Sequence, residues 1–179
     1  CLKIIKFCLS IYNKDMIILL KNKHTLKVDE FNFKCSIGKN GVTTRKIEGD
    51  KKTPSGIFKI EHLYYREDRI TLPKIDLKCI KIKRNMGWCD DTNSKYYNKE
   101  IQFPFNYSAE KLYRRERNYD LLINIKYNVN PTYKKKGSAI FLHLTNHKYK
   151  KTKGCIAITK ESFLKILPHI NNKTKVSIS

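Results

Sequence analysis

Residues 138–158 constrain the fold of this chain more than any other stretch. An apolar run at residues 139–142 leads into His143, a polar and lysine-rich segment follows, and a second apolar run at 156–158 comes directly after Cys155. Two short apolar runs joined by a polar segment predict two strands and a connecting loop. Because His143 ends one strand and Cys155 begins the next, we expect the imidazole and the thiol to meet across neighbouring strands.

An imidazole beside a thiol is the arrangement that a cysteine nucleophile needs. The thiolate is the attacking species, and a thiol with a pKa of about 8.5 is mostly protonated at neutral pH. A neighbouring histidine takes the proton and later returns it to the leaving amine. Gly154 has no β-carbon, so substrate can approach the sulfur closely, and backbone N–H groups at Gly154 and Cys155 would face the oxyanion. The competing interpretation is that Cys155 is a small core residue.

Two histidines compete for the role of general base. His143 directly follows an apolar strand, which fixes its position, whereas His147 lies inside the lysine-rich loop. We therefore assign His143 as the base and His147 as a substrate contact. Thr152 and Lys153, next to the thiol, are predicted to contact substrate as well. Trp88 is interpreted as a core aromatic or part of the cleft wall, and in the second case it would also contact substrate.

The segment Thr152-Lys153-Gly154-Cys155, preceded by His143, resembles the signature of the L,D-transpeptidase (YkuD-type) catalytic domain, in which an upstream His precedes Ser/Thr-His-Gly-Cys. The segment GKNGVTTRKIEGDKKTPSGIF at 38–58 resembles the family's Gly-Asp-x-x-Thr-Pro-x-Gly-x-Phe segment. LYYREDR at 63–69 and GWCDDTNSKYYN at 87–98 resemble a compact, single-domain bacterial branch. The similarity extends from residue 33 to residue 167, approximately.

The resemblance implies a fold, an activity and a place of action. The expected fold is mostly β, an L,D-transpeptidase-like β-sandwich of mixed strands with one or a few short helices, in a single domain over residues 1–179. The implied enzyme forms a thioester between its cysteine and a peptidoglycan tetrapeptide stem, then transfers the acyl group to an amine. It needs no cofactor and no metal, and it works in the periplasm or cell envelope. If water takes the acyl group instead, the same chemistry gives an L,D-carboxypeptidase or endopeptidase.

The sequence departs from the family motif in two places. Lys153 stands where the motif has His before Gly-Cys, and Ala157 stands where an Arg commonly follows the Cys. The loop between the two strands is also shorter than usual. A basic group for a substrate carboxylate must then come from elsewhere, and Arg45, Lys52 and Lys153 are the candidates.

Charge supports a function from another class, a basic module that binds polyanions through lysines and keeps its cysteine for structure. Lys and Arg number 38 against 16 Asp and Glu, a formal net charge of +22. Such a charge attracts polyanions whatever the fold. However, no zinc-finger spacing, RNP-like aromatic motif or basic heptad region predicts a specific nucleic-acid partner. The chain contains no apolar run long enough to predict a transmembrane segment, and its oligomeric state is left open.

Three further elements follow from the pattern. Residues 119–127 predict a buried strand, residues 159–170 predict a helix capped by Thr159, and residues 175–179 predict an edge strand. Six cysteines show no metal-ligand spacing, and a bridge between Cys79 and Cys89 is one open pairing.

Overall fold

The structure, a computed structural model, describes residues 17–146 and 148–179. His147, predicted as a substrate contact, lies outside the described residues. The described part contains fourteen strands, one α-helix and two short 3-10 helices. The strands are β1 Ile17–Asn22, β2 Thr25–Val28, β3 Phe31–Lys34, β4 Val42–Thr43, β5 Thr53–Pro54, β6 Gly56–Tyr65, β7 Cys79–Lys81, β8 Met86–Cys89, β9 Glu100–Gln102, β10 Ala109–Lys111, β11 Leu121–Ile125, β12 Phe141–Leu144, β13 Ile156–Ile158 and β14 Lys175–Ile178.

Nine strands form one large mixed sheet. Its order is β13-β12-β11-β6-β14-β1-β2-β3, and β7 pairs with β6 off this path. The pairs β12–β13, β1–β14 and β6–β7 are parallel, and the other pairs are antiparallel. The sheet curls until its ends meet, since Ser36 N–H donates to Ala157 O at 2.9 Å and Ala157 N–H donates to Ser36 O at 2.8 Å. The expected mostly-β fold with mixed strands is confirmed.

The two faces of this sheet pack against different partners. Alternate residues of the strands point inward and pack against helix α1 (Lys160–Ile166). Together they form the main hydrophobic core. The opposite face of β6, β11 and β12 packs against a smaller sheet of order β10-β8-β9. Because the side-chain period of a strand is two, Phe141 and His143 share this second face. The candidate site therefore lies on the outer face of the large sheet, beside the smaller one.

The local predictions agree with the structure except near the C-terminus. The strand predicted at 119–127 is β11, with every residue buried. Thr159 caps α1 by accepting a hydrogen bond from Ser162 N–H, but the α-helix ends at Ile166 and continues only as a 3-10 turn. The edge strand predicted at 175–179 is wrong, since β14 lies between β1 and β6. Cys79 and Cys89 are both free thiols.

Among the described helices, none has the length and apolar character needed to cross a membrane.

Candidate active site

The register of β12 and β13 brings the candidate base and thiol onto one face. Leu142 pairs with Ile156, and His143 pairs with Ala157, in a parallel ladder. Cys155 directly precedes this ladder and lies beside Phe141, whose N–H donates to the sulfur at 3.4 Å. His143 and Cys155 are thus diagonal neighbours on the same face of the sheet. The structure places the two residues on neighbouring strands, as the sequence predicted.

The imidazole of His143 is buried and held in one tautomer. Its Nδ1 lies 2.9 Å from the Leu144 carbonyl oxygen. A carbonyl only accepts hydrogen bonds, so the proton sits on Nδ1 and the lone pair on Nε2. Burial lowers the pKa of His143, while the hydrogen bond to Leu144 works in the opposite direction. The ring is therefore neutral at pH 7 and can accept a proton at Nε2.

The thiol of Cys155 is protonated in the resting structure. Its sulfur donates to the Ala139 carbonyl oxygen at 3.1 Å, and only 8% of the residue is exposed. Burial raises the pKa of Cys155 to about 12, and the negative charge of Glu110 adds to the rise. The Phe141 N–H, Lys46 and Arg114 act in the opposite direction. The resting pair is thus a neutral thiol and a neutral imidazole, and the proton must move as the sulfur attacks.

Ala139, whose carbonyl oxygen accepts the hydrogen bond from the thiol, has a backbone conformation that needs support. Its φ is +51°, in the left-handed region that L-residues other than Gly avoid. Its N–H donates to Asn98 Oδ1 at 3.0 Å. This hydrogen bond helps to keep the left-handed turn, which directs the Ala139 carbonyl at the sulfur.

The buried Asn98 side chain uses its full hydrogen-bonding capacity. Besides Ala139, Oδ1 accepts from the Trp88 indole N–H at 3.0 Å, while Nδ2 donates to the Tyr127 and Asn128 carbonyls at 3.0 and 2.9 Å. Asn98 therefore ties the small sheet, the end of β11 and the loop before β12 together beneath the thiol.

Gly154 and Thr152 shape the turn that delivers Cys155. Gly154 has a φ of +147°, and a β-carbon there would lie 3.0 Å from the Lys52 carbonyl oxygen. The Thr152 hydroxyl donates to the Cys155 carbonyl at 2.6 Å and accepts from Gly154 N–H at 3.1 Å. Gly154 N–H is therefore already engaged, so of the two backbone N–H groups predicted to face the oxyanion, Cys155 N–H is the remaining candidate.

A charged pair flanks the imidazole from the neighbouring layer. Tyr119 meets His143 with ring centroids 5.3 Å apart, and its hydroxyl donates to Glu110 at 2.9 Å. Arg114 pairs with the same carboxylate at 2.7 Å and lies 4.1 Å above the Tyr119 ring. Glu110 favours protonation of His143, and Arg114 opposes it. This layer stabilises the position of the His143 ring. The opposite charges of Glu110 and Arg114 have opposite effects on its pKa.

His143 and Cys155 face a cleft of about 670 Å³ whose lining is mainly cationic. Its carboxylates are engaged: Glu48 by Tyr97 and Ser138, Asp90 by Ser108, and Glu110 by Arg114. Four exposed lysines line the cleft, and none has a carboxylate within ion-pair distance among residues 17–146 and 148–179: Lys51, Lys150, Lys151 and Lys153. A ligand entering the cleft therefore meets an excess of positive charge.

The turn at residues 46–53 supports this cleft. Lys46 is buried and donates to Asp50 at 2.5 Å. Burial raises the pKa of Asp50, but the Ile47 N–H and the Lys46 ammonium lower it by more, so the pKa lies below its ordinary value. The Thr53 hydroxyl accepts from Gly38 N–H at 2.9 Å. The turn lies against Gly154, where an added β-carbon would meet the Lys52 carbonyl oxygen at 3.0 Å and Lys46 Cε at 3.8 Å.

Sequence comparison identifies the family to which this site belongs. The model of the YkuD family, the L,D-transpeptidase catalytic domain, matches residues 11–178. The chain belongs to this family. The match extends beyond the region of residues 33–167 in which the motifs lie. No curated protein matches the chain.

Solved structures similar to this L,D-transpeptidase family member include three bacterial proteins. Bd1075 of Bdellovibrio bacteriovorus is 16% identical, with 93% of this chain and 48% of that chain covered and a TM-score of 0.48. L,D-transpeptidase 1 of Mycobacterium tuberculosis is 11% identical, with coverages of 91% and 58% and a TM-score of 0.43. The helical cell shape determining protein Pgp2 of Campylobacter jejuni is 17% identical, with coverages of 96% and 54% and a TM-score of 0.47. The chain spans about half the length of these structures.

The structure corrects the position of Trp88. Its side chain is only 4% exposed and packs edge-on against Tyr64 and Phe141, behind the cleft. A side chain in that position cannot contact substrate directly, and it acts instead through Asn98. Lys153 and Thr152 do line the cleft, although the Thr152 hydroxyl is committed to the turn.

The two departures from the family motif also have structural explanations. Ala157 is fully buried in β13 and bridges to Ser36, so no basic side chain can extend from there into the cleft. Of the candidate carboxylate-binding residues, Lys153 lines the cleft, whereas Arg45 lines a separate groove. Lys52 contributes its backbone carbonyl next to Gly154.

The residues that the sequence did not single out are Asn98, Ala139, Tyr119, Glu110 and Lys46. Among them, only Lys46 had a signal in the sequence: its spacing of four positions from Asp50, with which it forms an ion pair. Within residues 17–146 and 148–179, no cluster of three or more His, Cys, Asp or Glu side chains could hold a metal ion.

Proposed function

We propose that this protein is a peptidoglycan L,D-transpeptidase with Cys155 as nucleophile and His143 as general base. The observation that carries the proposal is the pairing of a neutral thiol and a Nε2-basic imidazole on one face of β12 and β13, open to a cationic cleft. Membership of the L,D-transpeptidase family supplies the substrate class, the peptide stems of the bacterial cell wall. Such a substrate places the enzyme in the periplasm or cell envelope.

The reaction proceeds in two balanced steps. His143 Nε2 takes the thiol proton as Cys155 Sγ attacks the carbonyl of the diamino-acid residue that precedes the terminal D-residue. The tetrahedral oxyanion collapses, the C–N bond breaks, and His143 returns its proton to the departing D-amino acid. An amine of a second stem then attacks the thioester, His143 takes the amine proton, and the thiol is restored with a new amide bond.

The surroundings of the site support this sequence of proton transfers. Cys155 N–H, next in the chain to the engaged N–H of Gly154, would stabilise the oxyanion. The buried thiol with its raised pKa stays protonated until a substrate arrives. Lys153 and the other unpaired lysines of the cleft would bind the free carboxylates of the stem, as a substitute for the basic residues absent from the motif.

Intact-protein mass spectrometry after incubation with imipenem tests the nucleophile. We expect a single covalent adduct on the wild-type protein and none on Cys155→Ala. His143→Ala should form the adduct much more slowly, because nothing then removes the thiol proton. An adduct on Cys155→Ala would refute the assignment. The absence of any adduct on the wild type, with either imipenem or tetrapeptide stems, would refute the proposed function.

Product analysis decides which acceptor takes the acyl group. A tetrapeptide stem incubated with the protein should give cross-linked dimers and free D-amino acid. Shortened stems without dimers would instead identify an L,D-carboxypeptidase with the same thioester chemistry. Binding to nucleic acid that persists in Cys155→Ala and falls steeply with salt, without any turnover, would favour the polyanion-binding module.

A further inference from the structure

A second groove, of about 660 Å³, lies next to the catalytic cleft. Its lining combines aromatic and aliphatic side chains with three cations, and we call it the tyrosine groove. The residues used in the argument below are Arg45, Ile47, Tyr127, Tyr133 and Lys136. Tyr133 is 62% exposed and Ile47 is 59% exposed, which is unusual for large apolar side chains. An exposed apolar patch rimmed by polar groups indicates a binding surface.

The groove is built rigidly before any ligand arrives. Asn128 closes the loop that carries Tyr133: its Oδ1 accepts from Tyr133 N–H at 2.8 Å, and its Nδ2 donates to the Tyr133 and Gly137 carbonyls at 2.9 Å. The Tyr127 hydroxyl donates to the Lys136 carbonyl at 2.6 Å. These contacts use the backbone of Tyr133, so its exposed ring contributes little to holding the loop.

The chemistry of the groove suits a neutral sugar polymer. A pyranose ring presents an apolar C–H face to an aromatic or aliphatic surface, and hydroxyl and acetamido oxygens at its edge. Tyr133 and Ile47 supply the apolar surface, and Arg45 and Lys136 supply hydrogen-bond donors. Lys46, the third cation of the groove, is already paired with Asp50. Two available cations among several apolar side chains favour this ligand over a polyanion.

The groove adjoins the cleft. Lys46 lines both. Two chain segments contribute to both cavities: Arg45 and Ile47 in the groove lead to Glu48 in the cleft, and Lys136 in the groove leads to Ser138 in the cleft. The two cavities are therefore neighbours, and a ligand long enough to leave the cleft past Lys46 would reach the tyrosine groove.

We propose that the tyrosine groove binds the glycan backbone to which the stem peptide is attached. The proposal rests on the proposed function, because that function places a stem peptide in the adjoining cleft. It adds a second point of recognition: the enzyme reads the sugar chain as well as the peptide, and it selects stems that are still attached to the polymer.

Kinetics on two donors test the proposal. One donor is a free tetrapeptide, and the other is the same tetrapeptide on a short glycan strand. The wild type should have the higher kcat/KM for the glycan-linked donor, and Tyr133→Ala should reduce that preference roughly 5- to 10-fold, the size of one aromatic contact. Tyr107→Ala, at a tyrosine that is 48% exposed and outside both the groove and the cleft, is the matched control. Equal preference in Tyr133→Ala and the wild type would overturn the proposal.

Direct binding separates a failure of the groove from a failure of the proposed function. Peptide-free glycan strands should bind the wild type and Cys155→Ala equally, and Tyr133→Ala roughly 5- to 10-fold more weakly. Raising salt from about 0.05 to 0.5 M, which shortens the screening length, should change this affinity little. Absence of binding, or binding that Tyr133→Ala leaves intact, refutes the groove whatever the catalytic result. Loss of binding at high salt, matched by a polyphosphate competitor, would identify a polyanion site instead.

Discussion

Replacing Asn98 with Asp tests the hydrogen-bond network beneath the thiol. The substitution keeps the size of the side chain, its tolerance of a positive φ and its acceptors for Trp88 and Ala139. It removes the two N–H donors to the Tyr127 and Asn128 carbonyls, which lie at 3.0 and 2.9 Å. A carboxylate would face those two carbonyl oxygens in a buried position.

The expected loss of stability is large for so small a change. Each buried carbonyl left without its partner costs about 1–3 kcal/mol, so the pair costs about 2–6 kcal/mol in the free energy of unfolding. For a chain of this length, each kcal/mol lowers Tm by about 2–4 °C, so we expect a decrease of about 4–24 °C. Differential scanning calorimetry and urea unfolding measure both quantities.

The pH dependence of Asn98→Asp gives a second readout. Burial against carbonyl oxygens raises the pKa of the new carboxyl above its unfolded value near 3.9. The folded protein then binds more protons than the unfolded chain, so the destabilisation grows as pH rises from about 4 to 8. Asn93→Asp, at an exposed asparagine of the neighbouring loop, is the matched control and should change stability by less than about 0.5 kcal/mol. Equal effects of the two substitutions at every pH would refute this account of Asn98.

Two further predictions concern the thiol and its turn. Because burial raises the pKa of Cys155 from 9.0 to about 12, its thiolate fraction at pH 7.5 is about a thousandfold below that of an unperturbed thiol, so iodoacetamide should label it very slowly. Its labelling rate, followed by peptide mass spectrometry, should rise about tenfold per pH unit between about 7 and 9, and a plateau near pH 7 would contradict the neutral resting pair. Gly154→Ala places a β-carbon 3.0 Å from the Lys52 carbonyl and should slow acylation by imipenem at least tenfold, about 1.4 kcal/mol. Gly49→Ala is the comparison variant, because Gly49 also has a positive φ, +77° against +147° at Gly154, but no atom within 4 Å of the added carbon. The same slowing in both variants would argue against the steric explanation.

The sequence was sufficient to predict the features that depend on residues close together in the chain. Alternating and continuous apolar runs predicted β11, β12 and β13. Helix α1 begins directly after Thr159, the residue that the sequence predicted as its N-cap. The positions of the imidazole and the thiol followed from the same runs. Only the connecting segment of residues 145–155 separates the two strands, and the sequence predicted them as neighbours; their parallel pairing came from the structure.

Features that depend on residues distant in the chain could not be predicted from the sequence. The pattern of residues 175–179 predicted an edge strand, but β14 is an interior strand because β1 and β6 supply partners on both sides. A tryptophan at position 88 is compatible with a place on the cleft wall. The packing of the smaller sheet on β12 is what buries it. In both cases the local sequence is compatible with two environments, and long-range pairing selects one.

The sequence by itself determined the family, the mostly-β class and the two groups that we propose carry the chemistry, since each is encoded in a short, contiguous stretch. The tertiary structure decided the protonation states of those groups. Burial keeps the Cys155 proton in place and the His143 ring neutral, and the Leu144 carbonyl selects the basic nitrogen. Asn98, 57 positions before Cys155 in the chain, accepts from the N–H of Ala139, the residue whose carbonyl oxygen accepts the hydrogen bond from the thiol. Desolvation and hydrogen bonding act through space, and no local pattern specifies them.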